Sequence, residues 1–176
     1  MAAQKLNNPR VGDDATGPDH AALTAAVRAI IAAHHVLYRA DPEAAHSWDP
    51  IVIGVPGGPV PCLLLHHRGR KSGTMLDSIL QYYRYDNRIG IVASKGGLPH
   101  HPAWYLNLVS EPRCEVQIGK FRSSAVARTL SGAERAPWWQ WVTAEQPIQL
   151  EYQARTTREI PILVLEMPVL PPPRTS

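Results

Sequence analysis

The chain has 176 residues, enough for one domain with a real core, and its 44% hydrophobic and 19% charged content is that of a soluble globular protein. A formal net charge of +3 suits an acidic small ligand but is too weak to mark a nucleic-acid binder. Cys62 and Cys114, far apart and without metal spacing, argue against a disulfide framework and for a reducing cytoplasm, and no apolar stretch is long enough for a signal-peptide core or a bilayer span.

Residues 1–18 are polar, carry Pro and Gly, and read as a loose segment. Asp19 can cap a helix over 19–38, in which Leu23, Val27, Ile30, Ile31 and Leu37 give an apolar face. VPGGPVP at 55–61 is a turn cluster. Strands are expected at 61–67, 76–85 and 88–93, the last two joined by a tight turn at Asp86-Asn87. A second hairpin is expected from 113–118 and 121–129 around Gly119-Lys120. Ser131 and Glu134 have the spacing of a capping box at a helix start, and Pro137 predicts a kink or a restart in that helix. A last strand covers 160–166, and PVLPPPRTS at 168–176 is a proline-rich tail that cannot join a sheet and reads as disordered. Strands joined by tight turns argue for an antiparallel sheet, which often closes into a barrel. The chain thus reads as one domain over 19–167, mainly β with flanking helices.

Two segments carry chemistry. GRKSG at 69–73 follows the apolar run of the first strand. An arginine fork, a lysine charge and glycines that admit close backbone approach suit an anion, although a solvated basic turn has the same composition. ASKGGLPHHPAWYLNL at 93–108 combines a hydroxyl, an ammonium and two glycines with a helix whose first position is Pro102, capped by His101 or the residue before it. Trp104 and Leu108, four apart, pack inward from that helix.

Other chemistries lack their signatures. The histidine pairs 34–35, 66–67 and 100–101 point in different directions and make a poor chelate, so no metal is expected. There is no G-x-S-x-G, no activating cysteine motif, no G-x-G-x-x-G and no P-loop.

Taken together, GRKSG after an apolar strand and then ASKGG-x-P-x-HP-x-W-x-x-N resemble the deazaflavin-dependent nitroreductase and quinone reductase family, actinobacterial proteins that use coenzyme F420. The resemblance continues through NLVSEPRCEVQIG, SGAER and REIPILVLE, and covers most of residues 50–167. It implies a split β-barrel of the FMN-binding-like type. It also implies that Arg70, Lys71, Ser72 and Gly73 contact the phosphate and acidic tail of F420. Ser94, Lys95, Gly96 and Gly97 then lie along the deazaflavin and its chain, while Pro102, Trp104 and Asn107 shape the ring pocket.

The chain departs from the family pattern in two places. Thr74-Met75-Leu76 carries no cation where members have an arginine, so Arg68 is left to compensate. The substrate side has Gln146, Pro147, Gln149 and Glu151, and only Tyr152 matches the family's tyrosines. The implied activity is hydride transfer from reduced F420 to a quinone-like or other electron-poor acceptor, with Ser94 and Tyr152 polarising or protonating the acceptor oxygen. The rival is a carrier of F420 or of an apolar ligand such as a fatty acid on the same barrel. A homodimer and peripheral membrane contact are further expectations, and nucleic acid is not a partner.

Overall fold

A computed structural model of the chain describes residues 25–55 and 57–173. The expected cap at Asp19, Leu23 on the first helix, and the loose segment at 1–18 lie outside the described residues.

Seven strands form one sheet: β1 (Ser47–Trp48), β2 (Val60–Arg68), β3 (Met75–Tyr85), β4 (Arg88–Val92), β5 (Arg113–Ile118), β6 (Phe121–Thr129) and β7 (Ile162–Glu166). Every pairing is antiparallel, in the order β1-β2-β3-β4-β7-β6-β5, and a further pairing of β2 with β5 closes six strands into a barrel. The expected split β-barrel is therefore the fold. Its hairpin turn at Asp86-Asn87 has φ of 49° and 53°, the left-handed pair that matches strand twist in a two-residue loop. Alternate residues fill the barrel, among them Leu63, Leu65, Ile89, Ile91, Val116, Leu163 and Leu165.

The helices close the outside. In α1 (Ala25–Ala40) the inward residues are Val27, His34, His35 and Tyr38, whereas Leu37 is exposed. The apolar stripe thus gives way to polar anchors in the last turns. His34 Nε2 bonds the Ala45 carbonyl at 2.9 Å and its ring stacks on Trp48. The Tyr38 hydroxyl is shared between the Cys62 and Gln117 carbonyls at 3.0 and 3.1 Å, and accepts from Gly119 N–H. One phenol thereby ties α1 to two barrel strands. Asp41 caps the short α2 (Pro42–Ala45) by accepting from Ala44 N–H.

α3 (Ala103–Ser110) begins one residue later than expected, with Pro102 itself as an extended N-cap. α4 (Gly132–Glu145) buries Trp138 and Val142 on the barrel's outer face, beside Tyr83, Leu130, Ile162 and Val164. The Trp138 ring occupies the space that a side chain at Gly90 would need. The capping box does not form. Ser131 makes no side-chain cap, and the Glu134 carboxylate accepts from Arg88 at 2.9 Å and from Arg128 at 2.7 Å rather than reaching back to Ser131. Two cations outcompete a neutral backbone N–H for that carboxylate. Nor does Pro137 restart the helix, which runs unbroken to Glu145. The bond it removes belongs to the Ala133 carbonyl in the exposed first turn, where water can replace it.

Two further differences matter for function. The stretch before β7 forms a helix, α5 (Ile148–Ala154), which the sequence pattern did not announce. The proline-rich tail joins no strand, but its described part is not free. Leu170 packs against the barrel core, Pro171 is buried, and its carbonyl accepts from Arg84 at 2.9 Å.

Candidate active site

The GRKSG turn connects β2 to β3. Gly69 N–H donates to the Thr74 carbonyl at 2.8 Å and Gly73 N–H to the Gly69 carbonyl at 2.7 Å. Gly73 has φ of 69°, a conformation that costs other residues energy. Arg68 donates to the Gly73 carbonyl at 2.6 Å, so its charge is held within the turn. Arg70, Lys71, Ser72 and Gly73 are all exposed. Arg70 is also oriented: its backbone N–H and its Nη1 both donate to Asn107 Oδ1, at 3.2 and 3.0 Å.

Asn107 is buried, and its Nδ2 lies 3.3 Å from His67 Nδ1, while His67 Nε2 lies 3.1 Å from Ser78 Oγ. A neutral imidazole with its proton on Nε2 satisfies both contacts. The exposed guanidinium therefore rests on a buried chain of polar groups that runs into the barrel wall.

The second loop is built differently. Lys95, Gly96 and Gly97 have φ of 49°, 62° and 78°, three left-handed residues in succession. Such a turn survives only when its surroundings hold it. Arg158 does so. Its Nε donates to the Leu98 carbonyl at 2.8 Å, its Nη1 to the Ala93 carbonyl at 3.1 Å and its Nη2 to the Ser94 carbonyl at 2.7 Å. Nη1 also lies 3.3 Å from His101 Nδ1. Burial and the neighbouring Arg158 and Lys95 cations hold the His101 pKa below its ordinary value, which keeps that imidazole neutral. Lys95 is almost fully buried, with Nζ 3.4 Å from the His101 carbonyl. Gly97 packs against α5 so closely that a Cβ there would run into the Tyr152 carbonyl and come within 2.8 Å of Arg155 Cβ.

A pocket opens between this loop, α3 and α5, with Ser94, Lys95, Trp104, Tyr83, Gln149 and Tyr152 on its walls. Of the expected site residues, Ser94, Lys95, Trp104 and Tyr152 meet here. Gly97 lies beneath them and Pro102 caps α3. Asn107 does not line the pocket; it faces Arg70. The GRKSG residues lie outside the pocket, and α3 joins the two places, with Trp104 on the pocket wall and Asn107 three residues on. Burial raises the Tyr152 pKa above its ordinary value, Arg155 opposes that and Glu151 adds to it, so the phenol keeps its proton at neutral pH.

Sequence reasoning missed Arg158, His67 and Tyr83, whereas Gln146 and Gln149, read as substrate-side residues, do line the pocket. Arg158 lies some sixty residues from the carbonyls it binds, and no local pattern marks such a staple. Burial pushes the Cys114 thiol pKa up to about 12, which disfavours the thiolate. Among the described residues, no three of His, Cys, Asp and Glu come together as metal ligands.

An exposed, oriented cationic turn near a pocket lined by hydroxyls, an ammonium and aromatic rings fits an elongated polyanionic cofactor whose ring is flat. The comparisons agree. The family model described as F420H(2)-dependent quinone reductase matches residues 38–167, and the chain belongs to that family. It is similar to the F420H(2)-dependent quinone reductase Rv1261c of Mycobacterium tuberculosis, at 39% identity over 114 residues, 63% of this chain and 76% of that protein. Among solved structures it resembles an F420-H2 dependent reductase, FDR-A, with a TM-score of 0.56 and 37% identity over 60% of this chain and 94% of the other. It also resembles a structure described as a domain-swapped dimer, with a TM-score of 0.56 and 30% identity over 77% and 94% of the two chains.

Proposed function

We propose that this protein is an F420-dependent oxidoreductase that reduces quinone-like acceptors. The observation that carries the reading is the single helix α3, which sets Trp104 on the pocket wall and, through Asn107, orients Arg70 on the basic turn. One rigid element thus spaces a ring site from an anion site. Arg70, Lys71, Ser72 and Gly73 would hold the phosphate and acidic tail of F420. Ser94, Lys95, Gly96 and Gly97, with Pro102, Trp104 and Asn107 behind them, would hold the ring end. When bound, reduced F420 supplies the hydride.

The remaining work falls to the chain's own residues. The pocket must hold a flat acceptor against the ring and exclude water. Tyr152, a neutral phenol on the pocket wall, and the Ser94 hydroxyl would hydrogen-bond the acceptor oxygen and supply its proton; their lining of one pocket supports this. The carrier reading for an apolar ligand such as a fatty acid is not favoured, because the family to which the chain belongs is described as F420H(2)-dependent quinone reductase.

The domain is read as residues 19–167, with 1–18 and 168–176 as flanking segments. Both cysteines are free, in keeping with a reducing cytoplasm. Among the described residues no helix is long and apolar enough to cross a membrane. Peripheral membrane contact is part of this proposal only as a way to meet lipid-soluble quinones. A homodimer is in keeping with the domain-swapped dimer among its structural relatives.

The test is a fluorescence titration with F420 and with flavin mononucleotide, followed by loss of reduced F420 absorbance with menadione. Tighter F420 binding and menadione turnover are expected. Equal or tighter flavin binding would overturn the cofactor. Bound F420 without turnover of any quinone would favour the carrier.

A further inference from the structure

His67 ends the buried part of β2, just before the basic turn, and no part of it is open to solvent, so it cannot touch a ligand itself. Its place beneath Arg70 nevertheless fixes what Arg70 can do. The Arg70 backbone N–H and its guanidinium Nη1 are donors only, and both point at one atom of Asn107, at 3.2 and 3.0 Å. That atom must be the amide oxygen, because turning the amide over would set its NH2 group against two donors. The amide nitrogen therefore faces His67 Nδ1, 3.3 Å away, and requires a lone pair there. Only the tautomer with its proton on Nε2 offers one, and that Nε2–H donates to the buried Ser78 Oγ at 3.1 Å. The other tautomer, or a ring protonated at both nitrogens, would set N–H against N–H and drive the Asn107 amide away from Arg70.

We infer that His67 is a positioning residue for cofactor binding: its Nδ1 lone pair holds the Asn107 amide oxygen toward Arg70, and so keeps the exposed Arg70 fork in place for a phosphate oxygen. The inference rests on the basic turn being the phosphate site of F420. A free surface arginine gives up the freedom of a long side chain when it grips an anion, whereas an arginine already held has lost part of that freedom on folding. His67 thus acts on the ligand through two intermediates, Asn107 and Arg70, without meeting it.

The experiment titrates F420 calorimetrically into the wild type, His67→Leu, His67→Asn, Arg70→Ala and the double variant His67→Leu/Arg70→Ala at one low salt concentration. Fitted stoichiometry reports the folded fraction, so Kd is read apart from it. Asn Oδ1 stands as many bonds from the backbone as histidine Nδ1 and can accept from Asn107, which Leu cannot. Asn also leaves the larger cavity, so packing alone would favour Leu. His67→Leu should weaken F420 binding about three- to tenfold, and His67→Asn should recover most of that loss. In the Arg70→Ala background the Leu substitution should change Kd little, because the group it positions is gone. Wild-type affinity in His67→Leu, no recovery in His67→Asn, or the same loss with and without Arg70 would overturn the inference. If His67→Leu did not fold, long-range proton–nitrogen NMR spectra of the wild type decide, with the His67 signals identified by their loss in His67→Asn. An unprotonated Nδ1 supports the inference and a protonated one refutes it. If the wild type bound no F420, the cofactor reading would fail by itself. Inorganic tripolyphosphate would then replace F420 in the same titrations: the same pattern of loss and recovery supports the role of His67, and its absence refutes it.

Discussion

The two glycine-containing loops that flank α3 use their cations in opposite ways. The 69–73 turn shows Arg70 and Lys71 to solvent, and its order comes from short-range bonds within the turn plus one buried partner, Asn107. The 94–97 loop buries Lys95 and owes its left-handed backbone to Arg158, a residue from just before β7. The first can attract an anion over a distance, but salt weakens it. The second acts through shape, and its failure would be structural. Attraction and fit are thus divided between two loops that one helix holds in register.

The largest effect should come from removing the staple. Arg158→Ala strips hydrogen bonds from the Ala93, Ser94 and Leu98 carbonyls, the first two on buried residues. Bonds to a charged group are worth about 1.5–3 kcal/mol each, and partial rehydration of the vacated site offsets part of that, so a net loss of roughly 3 kcal/mol is expected. Urea unfolding midpoints measure it, and F420 affinity should fall with it at every salt concentration. An unchanged midpoint would mean the 94–97 backbone holds its own conformation.

Next comes Gly97→Ala. The new methyl meets the Tyr152 carbonyl at a positive φ, so α5 must move or the loop must change. We expect about a tenfold or greater loss of quinone turnover, from overpacking of about 1–3 kcal/mol at the site. Single-turnover kinetics with menadione give the number. Wild-type rates in this variant would uncouple the loop from α5.

On the other loop, Lys71→Ala should weaken F420 binding about tenfold at low salt, and the loss should shrink as salt is added. Isothermal titration at several ionic strengths separates this from the salt-independent loss in Arg158→Ala. Equal salt dependence of the two losses would erase the distinction between the loops.

The smallest effect is expected from Tyr152→Phe, a few-fold drop in quinone turnover, because solvent can replace a proton donor. Burial raises the Tyr152 pKa, so its phenol stays protonated through the ordinary tyrosine range and turnover should show no alkaline fall below about pH 10. The linkage has the same sign: this group's contribution to stability is present below the unfolded pKa and is lost as pH rises through the higher folded one. A pH–rate profile that falls near neutrality would remove Tyr152 as the donor.

The barrel strands were legible because each is a local pattern: alternating apolar residues bounded by turn residues, with Asp86-Asn87 able to adopt the left-handed turn. The basic turn was legible for the same reason, as the bonds within it run between residues at most five apart, although its anchor on Asn107 was not. At several places where the reading failed, a partner from another element had intervened. Glu134 has the spacing of a capping residue, but Arg88 and Arg128 reach it first. His34 and Tyr38 look like polar interruptions of an apolar face until the Ala45, Cys62 and Gln117 carbonyls are brought beside them.

By itself the sequence determined the strand-and-turn grammar, the basic composition of the 69–73 turn, and, through its resemblance, the family and the cofactor. These depend on residue type and short spacing, which a chain carries before it folds. Only the tertiary structure decided that Arg158 holds the 94–97 loop, that Asn107 serves Arg70 rather than the pocket, and that Gln149 bonds the Tyr83 hydroxyl. Each of these is a hydrogen bond between groups far apart in the chain, and such bonds exist only after barrel closure has brought the groups within about 3 Å of one another.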